Sequence, residues 1–176
     1  QVEKAPPQAV FRIGDLPADS VSLLEQIQFG CFQYFWRELG SPAQLVRDRL
    51  KAPVSSIAAV GFQLSSLPIG VEHGWISRGD GQPRAVTVLR SLLERTENRK
   101  WGIYVHFPDA DSAGLSHSGY ELLASTVDTA LLIAGAFGAL RATSGGCGGW
   151  YVFALALYVL SLLAKASGMT LPLVLV

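Results

Sequence analysis

After Arg141 the chain carries a single charged side chain, Lys165, and this break in charge constrains the fold more than any motif does. The sequence holds 14 basic and 14 acidic side chains, and all the others precede residue 142. Within the tail, Trp150 to Ala164 is a run of 15 apolar or small residues. That is short of the roughly 20 residues that a helix needs to span a bilayer. Lys165, Gly168 and Pro172 interrupt any extension of it. Three alternatives stay open for the tail: a membrane contact through residues 150 to 164, a buried core helix, or a stretch that does not naturally continue the domain.

The rest of the composition excludes several classes. A chain of 176 residues is one domain or part of one. At 49% hydrophobic residues it is too apolar to be disordered. Its net charge of zero argues against nucleic acid as the main partner, because phosphate binding uses a surplus of Lys and Arg. Cys31 and Cys147 lie far apart, which excludes a disulfide scaffold or a zinc ribbon. Gln1 to Gly14 has no apolar core and contains Pro6 and Pro7, so it does not read as a secretory leader. The first residue is Gln rather than Met, and a preceding piece is expected.

Helical periodicity dominates up to residue 141. Residues 1 to 19 are Pro-rich and aperiodic, an extended lead-in. Ser22 and Glu25 form a capping box, with Asp19 and Ser20 as alternative caps. Leu24, Ile27, Cys31, Tyr34 and Phe35 follow at helical spacing, thickened by Phe29, Phe32 and Trp36. Leu45 to Leu50 reads as a short charged segment. A second helix is expected over Ile57 to Leu67, stopped by Pro68 and Gly70, and its Ala58, Ala59 and Gly61 permit close approach of a neighbour. In a third helix Pro83 suits the first turn, and Val86, Leu89, Leu92 and Leu93 form the apolar stripe. Trp101 to Phe107 is a strand or extended loop, and a fourth helix runs from about Leu122 to Leu140. The tail would be a fifth. Phe32, Phe35, Ile57, Leu64, Leu89 and Leu93 are the expected core between antiparallel helix pairs. No strand alternates regularly with these helices, so the chain reads as all-α.

The acidic residues outside the amphipathic helices are the candidates for chemistry. Asp48 sits between Arg47 and Arg49, which should hold it ionised. A solvated loop ion cluster is the alternative. Glu121 and Asp128 are two helical turns apart, on one face if the helix is continuous. Asp128 precedes an apolar run, so it is semi-buried and needs a partner, for which Ser125, Thr126 or Thr129 would serve structurally. His73, His106 and His117 lack metal-ligand spacing, so neither a metal nor a cofactor is expected. The run Gly145 to Gly149 is no phosphate loop, since no Lys-Ser/Thr follows it. Trp101, Tyr104, His106, Phe107 and Tyr120 interleave with the carboxylates. Flat aromatic faces stack on pyranose rings and carboxyl groups do acid/base work, which is the make-up of a sugar site.

Five ordered phrases carry a resemblance. FGCFQYFWREL (Phe29 to Leu39), LVRDR (Leu45 to Arg49), the run from Ser55 to Arg78, GIYVHFPD (Gly102 to Asp109) and ELLASTVDTALLIAGAF (Glu121 to Phe137) resemble the glucoamylase-like domain of bacteria. Related domains are β-1,2-glucanases and the glucan-processing part of cyclic β-1,2-glucan synthases. The resemblance implies an (α/α)6 toroid, of which residues 20 to 141 would be the N-terminal part. This is an incomplete toroid of about five helices with one extended aromatic excursion. It implies a glycoside hydrolase or transglycosylase acting on β-linked glucan, with Glu121 and Asp48 as catalytic carboxylates. Arg47, Arg49, Trp101, Tyr104, His106, Phe107 and Asp128 would contact sugar. The partner is an oligo- or polysaccharide, and the compartment periplasmic or extracellular. Gln44 replaces a glycine of the family's pattern, and Leu123-Ala124 adds one residue before Ser125. The match stops after Arg141, as a truncated or frame-shifted copy would, and such a fragment is expected to be inactive. The alternatives are a non-catalytic carbohydrate-binding remnant and a small membrane-associated protein anchored by residues 142 to 176.

Overall fold

A computed structural model of the chain describes residues 20–116 and 123–143. The lead-in and the tail from residue 144 lie outside the described residues, so the expectations for both concern residues without structural description. Among the described residues are four helices and one two-stranded hairpin: α1 (Ser20–Arg37), α2 (Ile57–Glu72), α3 (Arg78–Glu94), β1 (Arg99–Lys100), β2 (Ile103–Tyr104) and α4 (Thr126–Thr143). The chain divides into two units, Gln1–Cys31 and Phe32–Val176, with the boundary inside α1. In the first unit the helix begins at Ser20, so Ser22 lies within it rather than capping it. Leu24 and Ile27 are exposed, contrary to the expected apolar face.

The second unit holds the core, built on Leu45, Val46, Ile57, Val60, Leu64, Leu67, Val88, Leu92 and Leu132. Leu45 and Val46, which open the short charged segment, are fully buried. Gln63, itself fully buried, ties that segment to α2: its Oε1 accepts from Val46 N (3.1 Å) and its Nε2 donates to Gln44 O (2.8 Å).

Two helix boundaries differ from the sequence expectation for identifiable reasons. Proline lacks an N–H and forfeits one helical bond, yet α2 runs through Pro68 to Glu72. Its last turn is held by packing, because Gly70 admits the Phe32 ring: a Cβ there would lie 2.6 Å from Phe32 Cζ. Helix α3 starts five residues before Pro83, because Ser77 Oγ accepts from Asp80 N (3.1 Å) and caps the helix there. Its buried positions are Val88 and Leu92, while Leu93 is 59% exposed, correcting the assignment of Leu93 to the core. Phe35 and Leu89 are only partly buried against the core.

Helices α2 and α4 cross with their backbones in contact. A Cβ on Gly61 would overlap the Leu131 carbonyl, and one on Gly135 would overlap the Gly61 carbonyl. Small residues at both positions are therefore a condition of the crossing, as the small face of α2 suggests.

Residues 103–109 follow a mostly extended course, in agreement with the aromatic excursion. The hairpin pairs Arg99 with Tyr104 and Lys100 with Ile103, so Trp101–Gly102 form its two-residue turn rather than the start of the strand. Both turn residues have positive φ, 53° and 81°, as a type I′ turn requires. Beyond β2 the extended course continues. Residue 54 bridges residue 109, and residue 105 bridges residue 124, each antiparallel.

Candidate functional site

Residues 103–109 form the spine of the candidate site, because segments bearing acidic residues lie along both of its edges. On one edge, Ile57 N donates to His106 O (3.1 Å) and Ser55 N donates to Pro108 O (2.9 Å). On the other, His106 N donates to Leu123 O (2.8 Å) and Ser125 N donates to Tyr104 O (2.9 Å). The first edge continues into the Asp48 loop, whose Asp48 N donates to Val54 O (2.9 Å). The second leads into α4 and Asp128.

Asp48 is partly exposed, with 29% of its side chain accessible, and its Oδ2 lies 3.7 Å from Arg49 Nε. Arg47 does not flank it as the sequence suggests. Its guanidinium donates instead to Asp111 Oδ1 (2.8 Å) and Ala52 O (2.6 Å), bracing the loop from inside. Two of the five guanidinium donors are engaged in this way. Beside this loop stands Tyr34, which no sequence motif singles out and whose Oη donates to Arg47 O (2.8 Å). Burial, with Glu38 and Asp48 nearby, pushes its phenol above the ordinary value and keeps it a neutral donor. In the sequence Tyr34 reads only as one member of an aromatic helix face.

Asp128 is nearly buried, with 10% of its side chain accessible, and pairs with His106 Nδ1. The hydroxyl partners expected from sequence do not take its carboxylate. Ser125 Oγ accepts from Asp128 N (3.3 Å) and caps α4, while Thr129 Oγ1 accepts from Tyr104 N (3.0 Å). This cap fixes the start of α4 at Thr126, so the helical-face relation between Glu121 and Asp128 does not hold. Glu121 and Tyr120 lie outside the described residues. The His106 ring also packs edge-on against Phe107, with centroids 4.0 Å apart.

The aromatic candidates separate into distinct settings. Tyr104 is largely buried, its Oη accepts from Arg99 Nη1 (3.2 Å), and it lines the same groove as Trp101. Trp101 is 88% exposed, with Lys100 Nζ 4.6 Å from its ring centroid. It stands at the rim of an apolar groove of about 590 Å³, lined by Leu89, Leu93, Ile133 and Ala136 among others. A large side chain at positive φ is a backbone outlier, and such strain collects at functional positions. The remaining acids of the loop are consumed locally: Asp109 Oδ1 accepts from Asp111 N, Ser112 N and Ser112 Oγ. Among the described residues no group of three His, Cys, Asp or Glu side chains is placed to hold a metal. Also among them, no helix is long and apolar enough to cross a membrane. These residues offer a partly open carboxylate, an imidazole and aromatic faces, and the groove at Trp101 is lined by neither Asp48 nor His106.

No family model matches the chain. It is 30% identical over 95 residues to an exo-β-1,2-glucooligosaccharide sophorohydrolase (non-reducing end) of Parabacteroides distasonis, covering 53% of this chain and 13% of that protein. In structure it is similar to the endo-β-1,2-glucanase of Chitinophaga pinensis, solved with sophorotriose and glucose. There the TM-score is 0.65 and the identity 20%, over 80% of this chain and 36% of that one. A β-1,2-glucanase of Parabacteroides distasonis gives a TM-score of 0.63 at 20% identity, over 82% of this chain and 21% of that one. The chain therefore spans between about an eighth and a third of the length of these proteins. The resemblance to the glucoamylase-like domain stands over part of those proteins, and with it the mostly helical fold.

Proposed function

We propose that this chain is the N-terminal part of an (α/α)6 toroid that acts on β-linked glucan, β-1,2-glucan first, as a glycoside hydrolase or transglycosylase. The observation that carries the proposal is the spine at residues 103–109. Along one edge lie residues 54–57, to which the Asp48 loop is tied, and along the other the Leu123–Ser125 segment, which begins two residues after Glu121 in sequence. Sugar hydrolysis by acid/base chemistry uses two carboxyl groups, one on each side of the scissile bond. In this reading Glu121 protonates the leaving oxygen, and Asp48 orients water or holds a sugar hydroxyl. Arg49, Trp101, His106 and Phe107 contact sugar. Trp101 offers the flat exposed face on which a pyranose ring stacks, and its strained, exposed setting is what such a role would retain. The three relatives described above are β-1,2-glucan hydrolases, which supports the substrate class. An extracytoplasmic location follows from a polymeric glucan substrate and belongs to the same proposal.

Oligosaccharide binding is the property expected of these 176 residues themselves, and turnover is expected where the rest of the barrel supplies its groups. Calorimetric titration of the chain with sophorotriose tests the first. Reducing-sugar release from β-1,2-glucan by a full-length relative carrying the Glu121 segment tests the second, compared with its Glu→Gln variant at that position. Loss of cleavage with an unchanged melting temperature is expected. If the variant keeps its turnover, the carboxyl group is not the acid and the assignment is wrong.

A further inference from the structure

The geometry points to Asp128 as a positioning residue that never touches sugar and fixes the His106 tautomer, so that Nε2 presents a lone pair to a glucan hydroxyl. This rests on the glucan reading and deepens it. Asp128 is the buried member of the pair and His106 the open one, with 10% and 38% of their side chains accessible. Asp128 Oδ2 is buried with no hydrogen bond of its own and faces Nδ1 in ion-pair contact. Since a carboxylate can only accept, a neutral imidazole in that contact carries its proton on Nδ1 and leaves Nε2 without one. The same device orients metal-binding histidines, whose second nitrogen is held by a carboxylate.

Everything around the ring is fixed from the backbone outward. The His106 main chain is bonded on both edges, to Ile57 N and to Leu123 O. The Phe107 ring limits rotation of the imidazole from one side. Asp128 is itself anchored by the Ser125 cap, in the first turn of α4, where the helix dipole favours a negative charge. An imidazole held at so many points loses little freedom on binding, and its exposed edge is a pre-set acceptor.

The test uses the full chain labelled with 15N-histidine. The chain has 3 histidines, and H106Q identifies the signal of interest by its disappearance. At about pH 9, where ordinary imidazoles are neutral, the His106 signal should show a protonated Nδ1 and a bare Nε2. D128N should shift that proton towards Nε2. In parallel, sophorotriose affinity is measured by calorimetry for wild type, H106Q, D128N and the double variant. Each single variant is expected to lose about tenfold, the worth of one hydrogen bond, and the double variant to fall no further than either alone. A wild-type signal with the proton on Nε2 overturns the inference by itself, whether or not D128N folds. A locked tautomer with full affinity in D128N overturns the positioning role and leaves the glucan reading intact. A locked tautomer in a wild-type chain that binds no sophorotriose refutes the glucan reading and, with it, the acceptor role of His106.

Discussion

Replacing Gly135 by alanine should destabilise the second unit although the same change three residues along the helix stabilises it. In a helix interior, Gly→Ala ordinarily gains about 0.5–1 kcal/mol, because the unfolded chain has less freedom to lose. Gly138, also in α4, has nothing within 4 Å of an added Cβ, so G138A should show that full gain. At Gly135 the added Cβ would lie 2.7 Å from the Gly61 carbonyl carbon and 2.9 Å from its Cα. Ordinary carbon contacts lie near 3.5–4 Å, so α4 must move away from α2 by roughly 1 Å. Neither obstructing atom belongs to a flexible side chain, and the whole crossing has to shift. Overpacking of this kind costs about 1–3 kcal/mol, which exceeds the propensity gain. Urea unfolding followed by far-UV circular dichroism measures both variants, and equal slopes of the two transitions secure the comparison. Both variants share the propensity gain, so the predicted difference between G138A and G135A is the overpacking cost, about 1–3 kcal/mol. If G135A is as stable as G138A, the helices are not in backbone contact and the account of the crossing fails.

Other outcomes follow from single sites. Asn98 is fully buried, and its Nδ2 donates to Leu92 O (3.2 Å) and Ala113 O (2.8 Å). N98A should lower stability by about 1–3 kcal/mol in the same unfolding assay, by stranding two carbonyls. Spectrophotometric titration of wild type against Y34F should reveal a phenol ionising above the ordinary value of 10.0. A raised phenol pKa means that the folded state holds the proton more tightly. Its contribution is therefore complete below about pH 10 and fades as pH climbs through the folded value. W101N suits the positive φ of the hairpin turn and should raise stability by up to about 1 kcal/mol. It should also weaken sophorotriose binding, whereas gains in both would remove Trp101 from the sugar site.

The sequence made the helices and the extended aromatic segment legible because their signals are periodic and local. It misplaced what depends on tertiary competition. Leu92 rather than Leu93 is buried, since one residue of helical phase decides which leucine meets α2 and α4. Pro68 does not end α2, because the Phe32 ring against Gly70 outweighs one missing hydrogen bond. Ser125, acting as a cap, starts α4 later than its apolar pattern does and so breaks the expected register of Glu121 with Asp128. Arg47 and Arg49 look equivalent beside Asp48, and only the fold shows that Asp111 claims one of them. His106 and Asp128, 22 positions apart, each appear as candidates in the sequence. Nothing local in it announces that they pair.

The spine at residues 103–109 also sets the order in which the site forms. Its bonds to residues 55–57 close a loop of about fifty residues, at an entropic cost on the order of 3–4 kcal/mol. No regular ladder repays that cost, because the pairing consists of isolated bridges. Such contacts come after the helices, which are local and fast. The His106 and Ser55 amides should accordingly exchange with solvent through a partial opening that leaves the α2–α4 crossing intact. The sugar-facing edge would then be the last part of this unit to fold and the first to open.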